Sequence, residues 1–178
     1  CIEAMRRTSR FFLLVLTALL FVAPAYAQTT PKVIGEFRDW AAMTLKDRTG
    51  DVCFMSSSPQ KWTSEPKNVR RGEIYILVTH RPGTKARDEI SVYPGYTYKE
   101  KSEVVVAIDG QDYKLFVDKD FAWAVDADTD RTVVRAMIGG NTMVIRGTSD
   151  RGTVTTDTFS LSGFTAAHNA INKACKIR

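Results

Sequence analysis

EIYILVTHRP (Glu73–Pro82) is the stretch that most narrows what this chain can fold into. It is rich in β-branched and aromatic side chains, and it is apolar on both faces through its middle. Such a segment fits a strand inside a sheet that is covered on both sides, not an amphipathic helix. Similar runs surround it. GEFRDWAAMTL (Gly35–Leu45) reads as a first strand region with Phe37 and Trp40 as large apolar anchors, and DVCFMSS (Asp51–Ser57) follows it. EISVYPGYTY (Glu89–Tyr98) is a strand region broken by Pro94-Gly95. SEVVVAI (Ser102–Ile108) runs into Asp109-Gly110, a tight-turn signal, and DYKLFVD (Asp112–Asp118) returns from it. FAWAVD (Phe121–Asp126) adds a further strand, and Asn141–Leu161 reads as a hairpin turning near Ser149–Gly152. The polar segment Ser56–Glu73, with Pro59 and Pro66, reads as a long loop.

Two segments change period. In DTDRTVVRAMIGG, Val133, Val134, Met137 and Ile138 form a helical stripe, with Asp128 as N-cap and Gly139 as the stop. Near the end, Ser162 reads as the cap of a last helix. Phe164, Ala167, His168, Ile171 and Cys175 fall on one of its faces. Many short strands joined by turns, with one short internal helix and a C-terminal helix, predict a mainly β antiparallel sandwich.

The first residues read as an export address. MRRTSR (Met5–Arg10) is basic, Phe11–Val22 is a nearly unbroken apolar run, and APAYA supplies small residues at Ala25 and Ala27. These are the three parts of a secretory signal peptide cleaved near Ala27. The run is shorter than the roughly 20 residues that span a bilayer, so an uncleaved anchor is the weaker alternative. CIEA before Met5 reads as an upstream extension of the reading frame. Residues 1–27 are therefore set apart, and 28–178 are expected to form a single domain long enough for a real core.

Of the 25 basic and 20 acidic residues, three arginines and one glutamate precede residue 28. That leaves 22 and 19, a net charge of +3, with the signs interspersed. No basic stripe points to nucleic acid, and no second apolar run is long enough for a transmembrane segment. Two cysteines remain, Cys53 and Cys175. In an exported chain the simplest expectation is a disulfide, and two buried free thiols are the alternative.

Residues that announce chemistry are scarce. His80 and His168 stand at no metal-ligand spacing from a cysteine or carboxylate, so no metal site is expected. There is no G-x-S-x-G, and sequence alone sets neither histidine beside a nucleophile. DADTD (Asp126–Asp130) begins like a calcium loop. However, Arg131 stands where that loop needs glycine and Met137 where it needs glutamate, which leaves a helix start with favourable charge. Trp62, Tyr93, Tyr96 and Tyr98 lie in or beside loops, where aromatics serve either a sugar or peptide surface or ordinary packing. Arg70-Arg71 reads as a pair of solvated loop charges.

Four stretches carry a resemblance. They are F-R-D-W at Phe37–Trp40, G-D-V-C-F at Gly50–Phe54, Y-I-L-V-T-H-R-P-G at Tyr75–Gly83, and F-S-L-S-G-F-T-A-A-H-N-A-I-N-K-A-C at Phe159–Cys175. Together the chain resembles the invasion-associated locus B family of alphaproteobacteria over about Val33 to Cys175. The resemblance implies an exported β-sandwich of immunoglobulin-like build, a link to host-cell invasion in pathogens, and no known enzymatic activity or catalytic residues. Better-known members tend to carry a cysteine shortly after the tryptophan, whereas here Trp40 is followed by Ala41, Ala42 and Met43.

The expectation is thus a periplasmic or secreted, non-enzymatic binding protein with no cofactor. Its partner would be a protein or envelope polymer, and in a host-associated species a host surface. A small-ligand or glycan-binding module is the alternative, and a cryptic hydrolase comes third.

Overall fold

The computed structural model describes residues 30–177. The expected signal segment lies outside the described residues. Eleven strands and two helices follow one another as β1 (Lys32–Phe37), β2 (Trp40–Asp47), β3 (Gly50–Ser57), β4 (Lys61–Glu65), β5 (Tyr75–Arg81), β6 (Ala86–Tyr93), β7 (Glu103–Ile108), β8 (Gln111–Asp118), β9 (Phe121–Trp123), α1 (Ala127–Gly139), β10 (Thr142–Thr148), β11 (Val154–Ser160) and α2 (Phe164–Ala174). The strands form one antiparallel ladder in the order β1-β2-β3-β5-β6-β9-β8-β7-β10-β11-β4. Residues from both ends of this ladder share one core. Trp40, Met55 and Ile76 belong to the same buried cluster as Val106, Met143 and Phe159. The strands are thus one continuous antiparallel sheet around a single buried core.

Segments with the clearest pattern settle as expected. β5 is central, between β3 and β6, and it buries Ile76, Val78, Thr79 and His80. β7 and β8 make the hairpin around Asp109-Gly110, where both residues take positive φ. β10 and β11 pair over their whole length.

The first strand region is two strands, β1 and β2. They turn at Arg38, whose φ is 55°. The stretch read as one long loop contains β4, which crosses the molecule to pair with β11 at the opposite edge. KWTSE has no apolar alternation, so only the partner strand reveals it. The true N-cap of α1 is Asp126, not Asp128, and it accepts from the Thr129 N–H at 2.7 Å. Ile138 of the expected stripe is 40% exposed. The buried face of α1 carries Asp130 instead, which accepts the Ile90 backbone N–H of β6 at 2.9 Å.

The cap of α2 is Gly163 and not Ser162, and it is left-handed at φ 90°. A Cβ there would stand 1.8 Å from the Phe37 carbonyl oxygen. Glycine is thus required both by conformation and by the close passage of β1. The expected apolar face of α2 is the docking face. Phe164, Ala167, His168 and Ile171 are buried, and Phe164 meets the Trp40 ring edge-on at 4.9 Å. Just beyond the helix, Cys175 is bonded to Cys53 of β3, with a Cα–Cα distance of 5.9 Å across a separation of 122 residues. No helix among the described residues is long and apolar enough to cross a membrane.

The bridge closes a long loop. Chain entropy alone puts its contribution at about 5 kcal/mol, and real bridges of this kind deliver about 2–4 kcal/mol. Replacing both partners, Cys53→Ser with Cys175→Ser, is expected to lower the unfolding free energy in urea by about 2–4 kcal/mol. A change below about 0.5 kcal/mol would remove the bridge from the list of stabilising elements.

Candidate functional site

Among the described residues, two places stand out for their buried polar side chains. The larger is built around Arg71, in the loop between β4 and β5. Its side chain is 2% exposed, so Arg71 is not the solvated charge that its loop position suggested. Asp157 lies on the inward row of β11, between Thr155 and Phe159, with its side chain 3% exposed. The guanidinium grips this carboxylate with two hydrogen bonds of 2.5 and 2.7 Å. Its Nε and Nη2 also donate to the Pro94 carbonyl at 2.9 and 2.7 Å. The same group sits 5.1 Å from the Trp62 ring centre and 5.2 Å from that of Tyr96. A buried carboxylate costs several kcal/mol unless its partner geometry is good, and this two-pronged planar pairing is the geometry that meets the need.

Beside this pair opens a cleft of about 530 Å³, lined in part by Arg70, Tyr96, Ser149, Asp150, Arg151 and Thr155. Tyr96 is fixed by a 2.7 Å hydrogen bond between its hydroxyl and that of Thr155. Burial raises its phenol above the usual range. Arg70 and Arg151 are exposed, so the mouth carries two solvent-facing cations against one exposed carboxylate, Asp150.

The four aromatics of the expected partner surface have different fates. Trp62 is 41% exposed and Tyr96 half-buried, and the two meet across Arg71. Tyr98 is 2% exposed, packed edge-on against Tyr96, and its phenol is pushed far up by burial, so it is a core residue that no partner can reach. It packs closely on Gly147, where a Cβ would come within 2.6 Å of the ring. Tyr93 belongs to a separate row on the sheet, stacked on Tyr75 at 5.0 Å and near Phe121 at 5.2 Å.

The second place is one that sequence spacing missed. His80 on β5, Asp88 on β6 and His168 on α2 are all buried, and one potential ligand atom from each lies within 4.8 Å of the others. The 8- and 88-residue separations of His80 from these partners hide a convergence that only the docking of α2 creates. β5 and β6 slip register between Thr79 and Arg81, and Asp88 takes a left-handed φ of 58°. This bulge turns the Asp88 N–H onto His80 Nδ1 at 3.1 Å and its carboxylate onto His168 Nε2 at 2.7 Å. His168 Nδ1 in turn meets the Asn172 amide at 3.1 Å. Among the described residues, His80 Nε2 and Asn172 Oδ1 are buried without a hydrogen-bond partner. Neither histidine lines the cleft containing Ser149, so the two places do not combine into a hydrolytic triad.

The geometry defines a class: a large antiparallel β-sheet folded over a single core, with a disulfide-stapled terminal helix and a cationic, aromatic-edged cleft. The sequence model of the invasion associated locus B (IalB) protein family matches residues 40–172, and the chain belongs to that family. The crystal structure of invasion associated protein B from Bartonella henselae matches with a TM-score of 0.53 at 14% identity, covering 84% of this chain and 99% of that one. At that identity the likeness speaks to the fold. No curated protein matches the chain.

Two buried groups titrate in opposite senses. Burial, the largest effect, pushes the His80 imidazole down to about 4. Burial pushes the Asp130 carboxyl up to about 6, against the hydrogen bond from Ile90. The unfolded chain binds the His80 proton first, so that site loses stability as pH falls from about 6.5 to 4. The folded chain binds the Asp130 proton first, so that site gains stability as pH falls from about 6 to 4. Each is worth about 3 kcal/mol, and the two nearly cancel. For Asp88, burial raises the carboxyl but the His168 hydrogen bond and charge outweigh it. Its pKa is lowered, and its contribution is lost only as pH falls below about 4. Urea unfolding at pH 6.5 and 4.5 should therefore give nearly equal stabilities for the native chain. Asp130→Asn, which keeps an oxygen for Ile90, should lose about 2 kcal/mol over the same interval. Parallel behaviour of the two proteins would contradict the assignment.

Proposed function

We propose that this protein is an exported, non-enzymatic binding protein of the bacterial envelope, and that the cleft lined by Tyr96, Arg70 and Arg151 takes its partner. One observation carries the reading. Arg71 is spent inside the fold on Asp157 and packs against Tyr96 in the wall of a cleft whose exposed cations, Arg70 and Arg151, are left to meet an acidic partner. Preorganised aromatics with adjacent arginines are what binding surfaces draw most energy from. The disulfide suits an oxidising compartment. The matching family is not known for enzymatic activity, and its name connects it with invasion. The partner is an acidic envelope polymer or protein, and in a host-associated species a host surface.

The cleft volume also favours a second reading, a small-ligand or glycan-binding module, because 530 Å³ falls in the range of small-molecule sites.

Fractionation of the native organism tests location. The processed protein should be found in the periplasm, the outer membrane or the medium, and an unprocessed cytoplasmic protein would overturn the reading. Co-sedimentation with purified outer-membrane vesicles then tests the surface. Arg70→Glu with Arg151→Glu is expected to weaken binding at least tenfold, roughly 1.4 kcal/mol. Phe116→Ser, at an exposed position of β8 that pairs with Trp123 of β9 and does not line the cleft, should leave binding unchanged. Equal loss in both variants would move the binding surface elsewhere.

A further inference from the structure

The cluster of His80, Asp88 and His168 is a different kind of site from the cleft. Its three side chains come from three elements, β5, β6 and α2, and all are buried. Two imidazoles and one carboxylate are a donor set for borderline divalent cations such as Zn²⁺. We propose that His80 Nδ1, Asp88 Oδ1 and His168 Nε2 form a binding site for a single divalent cation of the Zn²⁺ type.

The distances are close to what an ion needs. Asp88 Oδ1 lies 2.7 Å from His168 Nε2 and 3.9 Å from His80 Nδ1. The three atoms all lie within 4.8 Å of one another; ligands at about 2.0–2.2 Å from zinc stand roughly 3.3 Å apart around a tetrahedron, so shifts of about 1–1.5 Å bring these atoms onto one centre. The main rearrangement is at His80 Nδ1, which exchanges the Asp88 N–H for the ion.

Two features favour that exchange. Asp88 is held at a left-handed φ in a β-bulge, a feature that re-aims side chains at sites. The second is the pair of orphans, the His80 ring nitrogen Nε2, on a residue with no exposure at all, and the Asn172 amide oxygen. Buried polar atoms without partners are costly and call for an explanation.

An ion on His168 Nε2 moves that ring's proton to Nδ1, which faces Asn172. The Asn172 amide then turns over and presents its oxygen to this N–H, beside the Nε2–H of His80. Metal-bound histidines almost always give their second ring nitrogen such a partner. The fourth ligand position opens at the edge where the Asp88 and His168 side chains keep 12% and 11% exposure. Water completes the shell there. The ion ties α2 to β5 and β6, just as the Cys53–Cys175 bond ties its end to β3.

The test is titration calorimetry of the untagged, chelator-stripped, oxidised protein with ZnCl₂, alongside its thermal midpoint with and without the ion. The expected result is one Zn²⁺ per chain and a raised midpoint. Asp88→Asn and His168→Gln, which keep the size and hydrogen bonding of the docked helix, should each weaken binding at least tenfold. Asn172→Ala is expected to weaken it by about tenfold through the ring it orients. Circular dichroism of the variants checks that α2 is still formed. No saturable binding by the native chain would overturn the proposal. So would unchanged binding in folded Asp88→Asn and His168→Gln proteins. Neither result touches the cleft and its partner, which are read out by sedimentation.

Discussion

The fold closes on the Arg71–Asp157 pair. Asp157 occupies an inward position of β11 in a row that also holds Thr155 and Phe159, so its carboxylate points into the space between the two halves of the sheet. Left alone there it would cost several kcal/mol. Arg71 enters from the segment that leads β4 back to β5, and it brings a planar cation with matched hydrogen bonds. The remaining donors reach Pro94, just past β6. A single side chain thereby joins β11 to the loops bounding β5 and β6, which are distant in the ladder. Its flat faces serve as the bed for Trp62 of β4 and Tyr96. The pair that joins distant parts of the ladder also lies beneath the cleft.

The other half of the molecule is fastened by α2. Trp40 donates its indole N–H to the Ser160 carbonyl at 3.0 Å, and Phe164 packs edge-on to its ring. Cys53 and His80 are cross-strand neighbours on β3 and β5, while Cys175 and His168 lie two helical turns apart on the face that meets them. The covalent bond and the polar cluster therefore fasten the same helix to the same patch of sheet. Gly163 lets the chain turn into that helix within contact distance of β1. A terminal helix, ordinarily the first element to fray, is held along its whole length.

Much of this was legible in the residues. The central position of β5 follows from its apolar faces, and the β7–β8 hairpin from Asp109-Gly110. The docking face of α2, with Cys175 at its end, follows from helical spacing. Those signals are local, and each is set by one element's own periodicity. What escaped is what depends on partners remote in sequence. β4 lacks alternation and exists because β11 offers it an edge. In VTTDTFS, Asp157 sits among threonines that suit either face, so nothing local marks it as inward. Arg71 beside Arg70 looks solvated until its carboxylate is found. His80, Asp88 and His168 converge only after a β-bulge and a helix docking have both been made. The helix starts slipped by one or two positions because Asp126 and Asp128, or Ser162 and Gly163, are equally good caps until backbone geometry chooses.

A double-mutant cycle on Arg71 and Asp157, followed by urea unfolding, tests the closing interaction most directly. Arg71→Met and Asp157→Leu should each cost about 3–5 kcal/mol, because each strands a buried charge. The double variant should recover to within about 1–3 kcal/mol of the native chain, the residue being the unpaired Pro94 carbonyl. Single costs below about 1 kcal/mol that simply add in the double variant would contradict the account, leaving the sheet closed by its apolar core alone.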